Sequence, residues 1–152
     1  MSENTWSKLN SLQVGRYAEY FAITEFTKAG KDVYRAEVDD KGIDFVVRKN
    51  ENEYFDVQVK SKRNKGYIFM KKRIFVPRKN LLLAIVLFEE NQDPTLLLIP
   101  SLDWSKKSCE YLVGRDYRDG QKSEAEWGLN ITKKNVNLLK ERYNFNKQVD
   151  LL

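Results

Sequence analysis

The chain has 152 residues, of which 41% are hydrophobic and 32% are charged. This composition is typical of a folded globular protein with enough apolar side chains to form a core, so it excludes a chain that is disordered throughout. Since one hydrophobic core commonly spans roughly 100–200 residues, we expect a single domain over residues 1–152. We therefore look for one main functional site.

The histidine and cysteine content restricts the chemistry that this site can use. The chain contains no histidine and only one cysteine, Cys109, which excludes Ser-His and Cys-His nucleophilic machinery and cysteine-cluster zinc sites. A metal ion must then be bound by carboxylate, amide and backbone oxygens, which favour Mg²⁺ or Mn²⁺ over zinc. One cysteine cannot form an internal disulfide, which is typical of proteins in a reducing cytoplasm.

Charge and hydropathy indicate the partners and the compartment. Lys and Arg number 27 against 22 Asp and Glu, and the net charge of +5 slightly favours a polyanionic partner. Residues 1–12 lack the apolar core of a secretory signal. The longest apolar run, at 81–88, is far shorter than the roughly 20 residues that cross a bilayer. We expect a soluble cytoplasmic protein without a membrane segment.

The first half of the chain predicts a helix followed by three strands. Apolar residues recur at helical spacing over 9–28, and Ala29 and Gly30 mark the end of this helix. The elements expected next are a short strand at 32–38, a turn at 39–42, and strands at 43–48 and 54–61. The last two strands alternate polar and apolar residues, so the polar segment between them predicts a hairpin loop at 49–53.

The second half predicts further strands and a late helix. The strands or extended segments are expected at 67–76, 81–89, 95–99 and 127–131. Ser101 is expected to cap a short helical turn that reaches Trp104. Thr132 is expected to cap a helix containing Val136, Leu138, Leu139 and Tyr143. The sequence shows no internal repeat or interdomain linker, and the whole pattern indicates an α/β fold.

The predicted hairpin brings three polar side chains together. The midpoint of positions 44 and 58 is position 51, inside the loop, so Asp44 and Gln58 are near cross-strand neighbours. Their placement on one face requires an odd-numbered loop or a bulge, because a two-residue turn would pair Asp44 with Val59. Lys60 follows Gln58 by two residues and points to the same face. We expect the oxygens of Asp44 and Gln58 to lie about one strand spacing apart, roughly 5 Å.

These residue types suit phosphodiester hydrolysis. A divalent cation is expected to bridge Asp44 and Gln58, with the Val59 carbonyl as a further ligand. Lys60 is expected to orient or deprotonate a water molecule and to stabilise negative charge on the phosphate. Glu19 on the first helix reaches the metal if that helix packs against the sheet. Glu25 competes with Glu19 for this role, and Asp56 shares the face of Gln58 as a candidate extra ligand.

The motifs that carry these residues resemble those of a known superfamily. Gly15-Arg16-Tyr17-Ala18-Glu19, Gly42-Ile43-Asp44 and Gln58-Val59-Lys60-Ser61 are similar to the motifs of PD-(D/E)xK nucleases, especially a small bacterial branch with a QxK variant motif. The resemblance covers about residues 9–62, and more loosely Leu98-Ile99-Pro100-Ser101 with Trp104. It implies a restriction-endonuclease-like core with a central mixed β-sheet flanked by helices, Mg²⁺ dependence, DNA cleavage and, by analogy, a homodimer.

The sequence departs from the common superfamily pattern at two positions. Gln58 stands where Asp or Glu is most frequent, and Ile43 stands where Pro precedes the Asp. A neutral amide binds a cation more weakly than a carboxylate does. The sequence therefore leaves two functions open: a Mg²⁺-dependent endonuclease acting on DNA, and a noncatalytic nucleic-acid-binding or protein-interaction module that keeps the nuclease fold.

Basic residues concentrate directly after the proposed site. Residues 60–79 include nine Lys and Arg residues and no Asp or Glu. We expect this segment, which also contains Tyr67, Phe69 and Phe75, to contact the phosphate backbone and exposed bases. The alternative is a solvated loop with an edge strand protected by lysines. The residues predicted to bind nucleic acid are Lys62, Arg63, Lys65, Lys71, Lys72 and Arg73.

Overall fold

The computed structural model describes residues 5–38, 41–118, 120 and 122–152, so the predicted turn at positions 39 and 40 lies outside the described residues. A 3-10 helix over Trp6–Lys8 precedes the longer elements. The helices are α1 Ser11–Lys28, α2 Leu102–Ser105, α3 Val136–Arg142 and α4 Phe145–Val149. The strands are β1 Asp32–Arg35, β2 Phe45–Arg48, β3 Tyr54–Arg63, β4 Gly66–Lys71, β5 Leu81–Phe88, β6 Thr95–Pro100, β7 Leu112–Arg115 and β8 Glu126–Ile131.

Helix α1 begins with a reciprocal cap. The Asn10 side chain accepts a hydrogen bond from the Gln13 backbone N–H, and the Gln13 side chain accepts one from the Asn10 N–H, both at 2.9 Å. Two fully buried small residues, Ala18 and Ala22, allow the helix to approach the sheet closely. Gly30, with φ of +84°, follows the helix in a backbone conformation that glycine adopts without strain. The helix predicted over 9–28 is confirmed, with its start moved past Asn10.

The central sheet has five strands in the order β1-β2-β3-β5-β6. Strand β3 pairs antiparallel with β2 and parallel with β5, and the other pairings are antiparallel, so the sheet is mixed. All residues of β5 are buried because both faces of the sheet are covered. The buried strand predicted at 81–89 is therefore confirmed, one residue shorter.

A smaller sheet with the order β4-β8-β7 covers one face of the central sheet. The core between the two sheets also receives α2 and α3, and it includes Leu83, Ile85, Met70, Leu129 and Trp104. Helices α1 and α4 cover the opposite face, where the core includes Ala18, Phe26, Phe45, Val57 and Phe145. The predicted α/β fold, with a mixed central sheet flanked by helices, is confirmed. The sequence analysis did not predict β7, α4 or the 3-10 helix.

Three local predictions differ from the structure. The Ser101 hydroxyl does not cap α2; it accepts a hydrogen bond from the Arg78 N–H and donates one to the Arg78 carbonyl. Helix α3 begins at Val136, although the Thr132 hydroxyl accepts from the Asn135 N–H in the preceding turn. In the segment predicted to be extended at 67–76, the strand ends at Lys71 because the chain forms a turn at residues 72–74.

Within the described ranges, no helix is both long enough and apolar enough to cross a membrane.

We predict that the Asn10 cap stabilises α1 and the fold around it. The substitution Asn10→Ala removes the acceptor for the Gln13 N–H and should lower the free energy of unfolding by about 1 kcal/mol. Urea denaturation followed by tryptophan fluorescence measures this change. The control is Asn137→Ala on the exposed face of α3, which should not destabilise the protein. Equal stability of Asn10→Ala and the wild type would contradict the prediction.

Candidate functional site

Asp44 lies directly before β2, at the end of its pairing with β3. Phe45 faces Val57 and Arg48 faces Tyr54, so the hairpin has the register and the odd-numbered loop that the sequence predicts. The Asp44 N–H donates to the Val57 carbonyl at 2.9 Å, and the Val59 N–H donates to Asp44 Oδ2 at 2.6 Å. The Asp44 side chain thus takes the hydrogen bond that a neighbouring strand would otherwise supply.

This hydrogen bond also sets the direction of the Val59 carbonyl. In an extended strand, the N–H and C=O groups of one residue point to the same side, in the plane of the sheet. Because the Val59 N–H points to the Asp44 carboxylate, the Val59 carbonyl points to the same gap between β2 and β3. A carboxylate and a backbone oxygen therefore meet where the two strands part.

Asp44 and Val59 line an open cleft with a volume of about 500 Å³. The rest of its lining comes mainly from the first turns of α1, including Leu12, Gly15, Arg16 and Glu19, which recur at helical spacing on one side of the helix. Arg35 at the end of β1 completes the wall. The helix therefore brings the Glu19 carboxylate to the same cleft as Asp44.

Arginines give this cleft positive as well as negative charge. Arg35 Nη2 donates to Glu19 Oε1 at 3.2 Å, and the Arg35 guanidinium lies 5.1 Å from the centre of the Tyr20 ring. Hydrogen bonding by Arg16, and then by Arg35, lowers the pKa of the Tyr20 hydroxyl below its ordinary value. Arg16 and Arg35 were not among the predicted site residues. Arg35 reaches Glu19 because α1 docks beside β1, which no local sequence pattern reports.

Gln58 and Lys60 project from the opposite face of the sheet from α1. In the parallel pairing, Gln58 lies beside Leu83 and Lys60 beside Ile85, and both partners belong to the core between the two sheets. Gln58 and Lys60 thus share a face, whereas the Asp44 carboxylate lies at the strand gap and Glu19 lies on the helix side. The four residues surround the end of the β2–β3 pairing from different directions.

Gly42 makes room for the Ile74 side chain and lies beside the Gln58 amide. Its φ is +72°, and a Cβ atom built on it would lie 2.7 Å from Ile74 Cγ2 and 3.7 Å from Gln58 Nε2. Any other residue would be strained by this backbone conformation and would displace Ile74. The glycine therefore keeps the loop before Asp44 against Gln58.

The donor set of this region contains few carboxylates. No group of three or more His, Cys, Asp or Glu side chains that could hold a metal ion occurs among the described residues. Glu19 and Asp44 supply two carboxylates, and an amide and a backbone carbonyl stand nearby. Such a set fits Mg²⁺, which is commonly bound through one or two carboxylates while water and phosphate complete its coordination.

Acidic partners hold most of the basic residues that were predicted to bind nucleic acid. Lys65 pairs with Glu89 at 3.8 Å. Lys71 and Arg73 both contact Glu124, at 2.9 and 2.5 Å. Lys72 pairs with Asp116 at 3.0 Å and lies 4.1 Å from the centre of the Trp127 ring. The Lys62 side chain packs against Gly66. These contacts resemble the solvated-surface alternative, but exposed ion pairs of this kind are worth only about 0–1 kcal/mol and can exchange partners.

Arg63 has a structural role in addition to any contact with nucleic acid. Its Nη1 donates to the carbonyls of Trp6 at 3.2 Å and Leu9 at 2.6 Å, and it is partly buried. The guanidinium thereby ties the segment before α1 to the end of β3.

Comparison with solved structures establishes the fold, and the comparisons with family models and curated proteins leave the family open. No family model matches the chain, and no curated protein matches it. The chain is similar in structure to Hjc, a Holliday junction resolvase from Archaeoglobus fulgidus, with a TM-score of 0.54, 13% identity and coverage of 90% of this chain and 95% of the other. It is also similar to a bacterial homing endonuclease, I-Ssp6803I, with a TM-score of 0.52, 17% identity and coverage of 94% of each chain.

Both of these neighbours are restriction-endonuclease-like nucleases. The fold of this chain is therefore restriction-endonuclease-like, as the motifs implied. At these identities the likeness establishes the fold, and the function must be argued from the site.

We predict that Arg63 stabilises the fold through its two carbonyl contacts. Arg63→Met removes both hydrogen bonds and should lower the free energy of unfolding by about 1–3 kcal/mol. Lys62→Met, at the neighbouring position of β3, should change it by less than about 0.5 kcal/mol. Urea denaturation of both variants provides the comparison. Unchanged stability of Arg63→Met would show that these two hydrogen bonds do not stabilise the fold.

Proposed function

We propose that this protein is a Mg²⁺-dependent endonuclease that hydrolyses phosphodiester bonds in DNA. The observation that carries the proposal is the cleft that Glu19, Asp44 and Val59 line together, with the Asp44 carboxylate hydrogen-bonded to the Val59 backbone. A polar site at the end of a strand pairing, beside a helix that contributes a carboxylate, suits a bound phosphate and cation. The nuclease fold of the chain supports the same reading, and Mn²⁺ is the expected substitute for Mg²⁺.

In this proposal, Asp44, Glu19, Gln58 and the Val59 carbonyl are the residues that would hold the cation. When bound, Mg²⁺ would supply positive charge to the phosphate oxygens and make a coordinated water more acidic. The Val59 N–H donates to Oδ2 of the Asp44 carboxylate and so fixes the position of this side chain beside the Val59 backbone. The Gln58 amide contributes an oxygen without a negative charge.

The basic side chains of the site act on the phosphate and on the attacking water. Lys60 orients the water or accepts its proton, and its ammonium form stabilises the negative charge that develops on the phosphate. Arg16 and Arg35 bind phosphate oxygens in the cleft, where a guanidinium makes paired hydrogen bonds. In the reaction, the water oxygen bonds to phosphorus, one P–O ester bond breaks, and the released oxygen takes a proton.

A noncatalytic nucleic-acid-binding or protein-interaction module is the second candidate. Two observations favour it: Gln58 is neutral, and Arg35 already pairs with the Glu19 carboxylate. A module of this kind would keep the basic surface around Lys71, Lys72 and Arg73 as its contact with the phosphate backbone.

The location and the assembly follow from the same proposal. We place the protein in the cytoplasm because its one cysteine is free and buried. DNA is its partner because DNA is the substrate of the proposed reaction. A homodimer is expected by analogy with nucleases of this fold that act on both strands of a duplex. Analytical ultracentrifugation with and without DNA measures this assembly.

We predict that DNA cleavage requires Asp44 and Lys60. Asp44→Asn and Lys60→Met should each lower the rate of cleavage by at least about 100-fold, because one removes a carboxylate ligand and the other a proton acceptor and phosphate contact. The assay follows labelled linear, branched and single-stranded DNA with Mg²⁺ or Mn²⁺. Circular dichroism verifies that both variants fold.

Two carboxylates nearby in the sequence provide matched controls for this experiment. Asp56 lies on β3, the strand of Lys60, and pairs with Arg78 at 2.7 Å. Glu25 lies on α1, the helix of Glu19, and pairs with Lys28 at 3.7 Å. Asp56→Asn and Glu25→Gln should retain cleavage, whereas Glu19→Gln should lose most of it. Salt-sensitive binding without cleavage in the wild type would favour the noncatalytic module.

We predict that Gln58→Glu strengthens metal binding. A third carboxylate beside Asp44 should lower the Mg²⁺ concentration for half-maximal binding by about tenfold, since charged oxygen ligands raise affinity for hard cations. Isothermal titration calorimetry measures this constant directly, independently of cleavage. Gln92→Glu, in an exposed turn, adds the same charge elsewhere and should have little effect. An unchanged Mg²⁺ constant for Gln58→Glu would remove Gln58 from the ligand set.

A further inference from the structure

The outer face of the small sheet carries aromatic rings that the core does not use. Ile68 and Met70 of β4 point into the core, so Tyr67, Phe69 and Lys71 lie on the other side of the strand. The residues of this outer face are Tyr67, Phe69 and Lys71 of β4, Val113 and Arg115 of β7, and Glu126, Gly128 and Asn130 of β8. Phe75, which the sequence analysis grouped with Tyr67 and Phe69, is buried in the core instead.

The Tyr67 ring is fixed across this outer face. Gly128 leaves the space for it, because a Cβ atom at Gly128 would overlap the Tyr67 phenol. The Tyr67 hydroxyl donates to the carboxylate of Glu126, which is only 7% exposed and also accepts from the Tyr117 hydroxyl at 2.9 Å. Burial, and then this hydrogen bond, raise the pKa of Tyr67. The ring therefore stays neutral and keeps one orientation.

Phe69 extends this surface toward solvent. Its ring lies nearly parallel to the Tyr67 ring, with an interplanar angle of 15° and 6.2 Å between the ring centres. Its side chain is 47% exposed. The Arg115 guanidinium lies 4.4 Å from the centre of the Tyr67 ring. We call Tyr67 and Phe69 the aromatic platform: two ordered rings beside a cation, of which Phe69 offers the open ring surface.

The charges around the aromatic platform suit a polyanion. Lys71 and Lys122 line a small cavity of about 210 Å³ with Phe69, and Arg115 lies beside Tyr67. Two acidic groups that the structure describes here are already engaged: Glu124 by Lys71 and Arg73, and Glu126 by the two tyrosine hydroxyls. A ligand that combines a flat ring with a phosphate matches both features.

The chain also connects the aromatic platform to the candidate site. Strand β4 ends at Lys71, and Ile74, three residues later, reaches Gly42 beside Gln58. A strand of nucleic acid lying along β4 toward Lys71 would thus approach the candidate site. Unpaired bases are required on such a strand, because bases within a duplex stack on one another and do not expose their faces.

We propose that the aromatic platform binds an unpaired base of single-stranded DNA, and that the protein acts on DNA with a single-stranded segment beside the duplex. Action on DNA with a single-stranded segment rests on the proposed function. Binding of an unpaired base by the aromatic platform is a separate property that does not require cleavage. Phe69 stacks on the base, and Lys71 and Arg115 contact its phosphates.

The binding test uses the full chain with Asp44→Asn, in EDTA, and a fluorescein-labelled oligothymidine. Fluorescence anisotropy measures affinity. Phe69→Ala should weaken binding by about 5- to 150-fold, since stacking on one base contributes about 1–3 kcal/mol. Phe69→Trp should stay within about twofold of the parent. Leu138→Ala removes a side chain of similar exposure, 44%, from α3 and should leave binding unchanged.

A second readout reports the stacking contact itself. An oligonucleotide with 2-aminopurine should lose fluorescence on binding to the parent and to Phe69→Trp, but much less on binding to Phe69→Ala. Three outcomes would overturn the proposal. They are equal affinity of Phe69→Ala and the parent, no binding by the parent, and an equal loss of affinity in Phe69→Trp and Phe69→Ala. Circular dichroism and urea denaturation confirm that each variant folds.

The two proposals fail in distinguishable ways. Loss of single-stranded binding in Phe69→Ala together with absent cleavage by the wild type would keep the platform and refute the endonuclease. Cleavage that needs Asp44, with full binding and cleavage of branched DNA by Phe69→Ala, would keep the endonuclease and refute the platform.

Discussion

The candidate site depends on the difference in length between two neighbouring strands. Strand β2 has four residues, and β3 has ten. In the part of the chain that the structure describes, no strand beyond Phe45 takes the Val59 N–H on that side, and the Asp44 side chain accepts it instead at 2.6 Å. A strand N–H left without a partner away from water costs about 1–3 kcal/mol, so this bond serves stability as well as position. Strand β3 stays paired with β5 along eight residues, from Asp56 to Arg63, past the point where its pairing with β2 ends.

This arrangement explains which parts of the fold and of the site the sequence could predict. The Asp44 and Gln58 register follows from a hairpin closed by a short polar loop, and such local geometry is readable from alternation. The direction of Asp44 was not readable, because it depends on where β2 ends. Likewise, the four-residue strand β7 gives no period long enough to detect, and it is stabilised by pairing with β8.

Long-range contacts account for the remaining differences between the sequence prediction and the structure. The basic segment after Lys60 has no acidic residue of its own, yet Lys72 and Arg73 find acidic partners 44 and 51 positions away. Arg35 meets Glu19 only because α1 docks beside β1, at the edge of the sheet. The charges within one segment therefore do not show how many of its basic side chains pair with acidic residues from distant positions.

The Glu19 and Arg35 pair places both signs of charge in the cleft to which the proposed function assigns the phosphate. The Arg35 side chain is 54% exposed and the Glu19 side chain 26%, so water screens their attraction. An ion pair of this exposure is worth about 0–1 kcal/mol, whereas hydrogen bonds between a guanidinium and a phosphate are charge-assisted and often bidentate. Under the proposed function, a phosphate in the cleft would therefore compete for Arg35. Its binding would release the Glu19 carboxylate from this ion pair, so one arginine would couple phosphate binding to the exposure of Glu19.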